Sequence, residues 1–308
     1  MRVISYIFLF IFALSSRFLF AEVLHVERDV NWNESWKKLE SSEKKSLKVL
    51  VQLLKKSKTG KNLIDRSLKV AHEQGQSFDE LVRPAKGSLT DTTLTRKFST
   101  ADPQNVHYES HSLVFIDRDL SVKDGVLDLA HELVHLLERE PFNPYDESFS
   151  LVEFMKSTVE GKGGEVEAYL VECQVYRELF PGPFESSRCQ QILDDLGRLS
   201  KSKATDRFYQ LGKYHSSIKK IFNQLDVKSE KIPLSSKETM FISSAYGLPY
   251  PLAAVKEYLN IMDKACENDR RRLEVMKLRR TPASKSYLNF KTSFNNRCQS
   301  FVSQAHKP

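Results

Sequence analysis

The sequence predicts an α+β protein that is predominantly helical, with a small mixed sheet. Apolar residues recur at helical spacing over residues 36–56, 62–73, 121–138 and Glu165–Leu179, and residues 188–225 and 252–280 read as further helices. Residues 84–118 break that pattern. Thr, Ser and β-branched residues gather there between Pro84, Gly87 and Pro103, and Ser112-Leu113-Val114-Phe115-Ile116 reads as a strand ended by Asp117. With 40% hydrophobic and 28% charged residues in 308, the chain has a globular composition and length enough for a sizeable core.

The elements are justified in chain order. Arg2, the apolar run Val3 to Leu14 and the small Ala21 have the form of a secretory signal peptide, with cleavage expected after Ala21. The mature chain is then exported, periplasmic or extracellular. Nothing after the first twenty-odd residues is apolar enough to span a bilayer. In the first helix Trp36, Leu39, Leu47, Leu50, Val51 and Leu54 form the apolar face, and Thr59-Gly60 is expected to end it. The second is expected to bury Leu63, Ile64, Leu68 and Ala71 and to close at Gly75. Residues 88–98 read as a strand or hairpin arm. The helix after Asp117 takes Ser121 or Asp119 as its cap and stops before Pro141. Gly161, Gly163 and Gly164 mark a turn, and Pro181-Gly182-Pro183 stops the helix that follows. Residues 243–251 read as a loop. These signals divide the chain into a signal peptide (1–21), an N-terminal helical region (22–83), a core (84–185) and a C-terminal helical region (186–308).

The net charge is +7, two of it from Arg2 and Arg17. The densest basic stretch holds Lys264, Arg270, Arg271, Arg272, Lys277, Arg279 and Arg280. It reads as a solvated helix face, or as a patch for an anionic envelope or membrane surface. No nucleic-acid motif accompanies it. An even count of four cysteines behind an export signal implies two disulfides. Cys173–Cys189 and Cys266–Cys298 are the expected pairs, because each closes a short loop.

The chemistry centres on His131-Glu132-Leu133-Val134-His135. On a helix, residues i and i+4 share a face, so both imidazoles can meet one Zn²⁺. Glu132, one residue on from the first histidine, can reach a water at the metal and act as general base. The stripe Val122, Val126, Leu129, Ala130, Leu133, Leu136 and Leu137 would fix this helix in the core, with Asp124, Asp128, His131 and His135 on the other side. Asp128 could orient a ligand histidine. A third ligand is expected from Gly164-Glu165-Val166-Glu167-Ala168-Tyr169-Leu170-Val171-Glu172. Glu167 is the choice, because small Ala168 beside it allows close helix packing, with Glu165 and Glu172 as alternatives. Tyr145, Tyr169, His215 and Tyr246 are candidates for stabilising an oxyanion.

His131-Glu132-Leu133-Val134-His135, with a later Glu-x-Glu-Ala helix, resembles the gluzincin branch of the zincin metallopeptidases. The resemblance implies a zincin-like core: a small mixed sheet over the active helix, a glutamate as third ligand, and a strand beside the metal that pairs with extended peptide, for which residues 113–116 are the expectation. It implies a zinc metallopeptidase cutting peptide or protein substrates through a zinc-activated water, with His131, His135 and Glu167 as ligands and Glu132 as base. No third histidine follows at the metzincin spacing, and the Asn-Glu-x-x-x-Asp signature of the thermolysin group is absent. The alternatives are a zinc amidase acting on cell-wall peptides and a non-catalytic zinc-binding or surface-interaction protein. Glu132 argues against the last, because a purely structural site has no need of a base.

Overall fold

The structure is a computed structural model and describes residues 30–99, 105–146, 148–182, 184, 188–227, 231–278 and 284–302. The signal-peptide segment lies outside the described residues. A 3-10 turn, Trp36–Lys38, precedes helix α1, Glu43–Leu54. The single helix expected over 36–56 is thus broken, and Ser42 is the reason. Its side chain accepts from the Lys45 amide and starts a new helix. Trp36 is fully buried and donates from Nε1 to the Asp117 carbonyl at 2.7 Å. Helix α2, Lys58–Glu73, begins four residues before the expected start, because the Ser57 hydroxyl caps it by accepting from Gly60 N at 2.9 Å. Gly60 therefore lies inside the first turn of α2 and is no helix breaker. A Cβ there would stand 2.3 Å from the Leu54 carbonyl oxygen, so the glycine serves close approach of α1 and α2. The inward face of α2 is Gly60, Leu63, Ile64, Ser67 and Ala71. Leu68 stands about 100° around the helix from Ser67 and is exposed, against expectation.

A short helix α3, Phe78–Leu81, leads into β1, Val82–Ala85, then β2, Leu89–Phe98, and β3, Val106–Asp117. The sheet order is β1-β3-β2, with β3 parallel to β1 and antiparallel to β2. The strand expected at residues 112–116 belongs to β3, the central strand. At Val114 and Phe115 it is paired on both edges, and Ile116 and Asp117 pair with β1, so little of the expected stretch is open to a peptide. The free edge near the site belongs to β2, which among the described residues pairs with β3 alone.

Helix α4, Val122–Glu138, follows, with Ser121 as its cap, accepting from the Asp124 amide at 3.1 Å. Val122, Val126, Leu129, Ala130 and Leu133 are fully buried, the valines and leucines each contributing roughly 1.5–3 kcal/mol. They pack in one core with α1, α2, β1 and β3. Then come α5, Leu151–Val159, α6, Glu165–Leu179, α7, Lys201–Phe208, and α8, His215–Gln224. A two-stranded hairpin, β4 Ile242–Ser243 and β5 Leu248–Pro249, leads into α9, Tyr250–Leu278, and α10, Lys285–Val302. A second core holds α5 and α9 with Phe208, Ile218 and Phe222. Helix α6, at its expected limits, joins the two: Ala168 and Val175 face the first core, Val166, Tyr169 and Cys173 the second.

The disulfides are Cys173–Cys189 and Cys266–Cys298, the expected pairs. Such bonds belong to an oxidising compartment. Among the described residues no helix is long and apolar enough to cross a membrane. The basic stretch is less of a patch than its sequence implied. Arg272 is buried over the Phe290 ring, Arg271 pairs with Glu267, and Arg279 and Arg280 lie outside the described residues.

Candidate metal centre

Helix α4 carries His131, Glu132 and His135 to the floor of a cleft of about 740 Å³. Donor atoms of these three lie within 4.8 Å of one another. The carboxylate between the two histidines is that of Glu165, the first residue of α6. Its Oε2 is 3.2 Å from His131 Nε2, and its Oε1 is 3.5 Å from His135 Nε2. The other ring nitrogens are taken. His131 Nδ1 lies 3.1 Å from Glu172 Oε2, and His135 Nδ1 donates to the Gly163 carbonyl at 2.7 Å. Both rings thus present Nε2 to one point and are oriented from behind through Nδ1. The donor set fits a metal such as zinc: two imidazoles, a carboxylate, and ring partners that fix tautomer and orientation.

Glu167, expected as the third ligand, is not brought to the pair. Its Oε2 accepts from the Gly163 amide at 2.7 Å. The cause is helical phase. Residues i and i+2 point about 200° apart, whereas i and i+7 nearly coincide. Glu165 and Glu172 therefore share the face towards α4, one at each side of the His131 ring, and Glu167 turns away. Ala168 is fully buried and does permit the close approach of α6. Asp128 does not reach the ring nitrogen that Glu172 holds. Burial and the nearby Glu172 push its carboxyl up to about 6, against a hydrogen bond from Ser88.

The turn before α6 closes the site from behind. The Gly163 carbonyl accepts both from His135 and from Arg139 Nε, the latter at 3.2 Å. Arg139 Nη2 also reaches Glu165 Oε1 at 3.2 Å. The charges follow from this packing. Burial lowers the His131 pKa, but Glu165 and Glu172 more than offset it and hold the ring well above its ordinary value. Burial and the Arg139 charge push His135 down to about 4, a neutral ring ready to ligate. Burial raises Glu165, yet the two histidines hold it well below the ordinary range. Glu132 is pushed up to about 7 by burial, against His131 and the Thr90 hydroxyl. That hydroxyl lies 2.8 Å from Glu132 Oε2.

Of the aromatic candidates, Tyr145 and Tyr246 line the cleft, Tyr169 is packed between Phe208 and Phe241, and His215 opens α8 away from it. Sequence reasoning missed Tyr250. It lines the cleft at the start of α9 and hydrogen-bonds Glu165, with Glu132 close by; burial and both carboxylates hold its phenol well above the usual value. The signal was present in Pro251, a residue that favours the first turn of a helix. Thr90 and Arg139 were missed as well, and nothing in their local sequence marks them.

Compared with protein-family models, with curated proteins and with solved structures, the chain matches none. Its class is therefore defined by fold and site alone: a mostly helical α+β protein with a small mixed sheet and a His-Glu-x-x-His group placed to hold a metal ion.

Proposed function

We propose that the protein is an exported zinc-dependent metallopeptidase, with His131, His135 and Glu165 as ligands and Glu132 as general base. The convergence of both Nε2 atoms on the Glu165 carboxylate, in a cleft walled by the free edge of β2, carries this reading. Bound there, zinc would supply Lewis acidity, polarising a carbonyl and lowering the pKa of water. The remaining work falls to the chain. Residues 89–94, along β2, offer the outer-edge backbone groups of that strand to an extended peptide. Glu132 accepts a proton from the attacking water and returns it to the leaving amine. Thr90 occupies its Oε2, which leaves Oε1 for that proton. The Tyr250 hydroxyl, kept protonated by its surroundings, can donate to oxygen that gains charge. The signal-like N-terminus and the two disulfides support export.

Metal analysis of the purified protein should find about one zinc per chain, as one such site holds one ion. Glu132→Gln should keep the zinc and lose peptide turnover by a factor of about a hundred or more. Glu165→Gln should lose the zinc, while Glu167→Gln should retain it. Undiminished turnover in Glu132→Gln, or zinc retained without Glu165, would overturn the assignment.

A further inference from the structure

We propose that Glu257 is a cation-selecting group in the cleft, so that the preferred substrate carries an ammonium or guanidinium group beside the bond that is cut. The inference rests on the peptidase reading and names its substrate class. Helix α9 forms the cleft wall opposite β2, and Glu257 lies on that wall two turns after Tyr250, beyond the small Ala253 and Ala254. The charged groups around it are Arg139, Glu165 and, on β2, Asp91. Arg139 is engaged with Glu165 and the Gly163 carbonyl. Glu257 itself has no hydrogen bond or ion pair among the described residues. A half-buried carboxylate without a partner costs desolvation, which a ligand cation would offset.

Two further features agree. Thr158, more than nine-tenths buried, lines the same cleft, and its hydroxyl oxygen has no partner among the described residues. The cleft lining thus includes a second polar side chain whose hydrogen-bonding capacity is unused. Lys264, which α9 also contributes to the cleft lining, and Lys256, directed to the Tyr246 ring, are not among the charges that act on Glu257. Burial and the Glu165 and Asp91 charges hold the Glu257 carboxyl above its ordinary value, against the opposing Arg139 charge, which is shared with Glu165.

The test is a binding ratio in the zinc-loaded Glu132→Gln protein, where cleavage does not intervene. An uncharged heptapeptide is scanned with one Lys, one norleucine or one Glu at each position, with free or acetylated N-terminus, and read by fluorescence anisotropy. The cationic member of a pair should bind about ten-fold tighter or more. Adding Glu257→Gln should bring that ratio close to one, and adding Glu257→Lys should turn the preference towards peptides with Glu. Loss of preference on acetylation would assign the cation to the α-amine; loss on Lys to norleucine would assign it to a side chain. A ratio near one with Glu257 intact, or one that Glu257→Gln leaves unchanged, overturns the proposal. A variant with a damaged fold would weaken both peptides together, so the sign reversal in Glu257→Lys decides. If the Glu132-intact protein cuts no peptide but the ratio holds, the peptidase reading fails and the cation site stands. If no peptide binds at all, both fail.

Discussion

At Gly163 the chain turns with φ +63°, and a Cβ there would lie 2.3 Å from the Arg139 amide nitrogen and 2.6 Å from the Glu138 carbonyl carbon. Both conditions exclude a side chain. The same residue uses its carbonyl for His135 and Arg139 and its amide for Glu167. Gly163→Ala should therefore destabilise the fold by more than about 1 kcal/mol and weaken zinc binding ten-fold or more, measured by denaturant unfolding and by competition with a chelator. Unchanged zinc affinity would show that the turn does not orient His135. Glu172 gives the complementary case. Its contact with His131 Nδ1 predicts that Glu172→Gln keeps the fold but loses roughly ten- to a hundred-fold in zinc affinity.

At the scale of elements, α2 and α6 are joined by Glu178. Its Oε2 accepts from the Ser57 hydroxyl at 2.6 Å and the Thr59 amide at 2.9 Å, and its Oε1 from the Thr59 hydroxyl at 2.7 Å. A carboxylate from one helix thus caps another. Burial works against the charge, but hydrogen bonds from Gln174, Ser57 and Thr59 hold the pKa at about 2. The carboxyl is depressed in the folded state, so its stabilisation is complete above the ordinary carboxylate value and is lost as pH falls towards 2. Glu178→Gln should be less stable than the parent at pH 7 by about 1–3 kcal/mol, and urea midpoints should converge as pH drops from 5 to 3. A gap that does not narrow would remove the cap from the account. This contact also marks the limit of what the sequence discloses. The turn signals and apolar periods of α4 and α6 are local, so those helices and the His131-Glu132-His135 group were legible. Helix α5, not expected from the sequence, carries a local start signal as well, since the Ser150 hydroxyl accepts from the Glu153 amide. The partners of Glu178, the position of Glu165 rather than Glu167 between the two histidines and the central place of β3 depend on how distant segments meet, and no local pattern encodes that.

At the scale of the molecule, the cleft lies between two cores, and its α9 wall must be held against β2 from a distance. One link is fully buried Asp269 on α9, which pairs with Arg96 from β2 and Arg297 from α10. Arg96 stacks on Tyr145 at 3.9 Å, and Arg297 donates to the Tyr145 carbonyl at 3.1 Å, so the loop beside the cleft joins the same node. The other link, Cys266–Cys298, clamps α10 to α9 across 32 residues of sequence. A small cluster of Leu273, Met276 and Tyr287 packs between these helices. Loop-closure entropy assigns the disulfide about 3–4 kcal/mol. Removing one partner of a buried ion pair costs about 3–5 kcal/mol, because the remaining charges are stranded. The two act on the same helix pair, so their losses should not add. Once Cys266→Ser and Cys298→Ser have freed α10, Arg297 can withdraw from Asp269, and Asp269→Asn should then cost less than in the disulfide-bonded parent. A double-mutant cycle on urea midpoints measures that difference. Strict additivity would mean that α10 stays docked without its disulfide and that Arg297 keeps its pairing with Asp269.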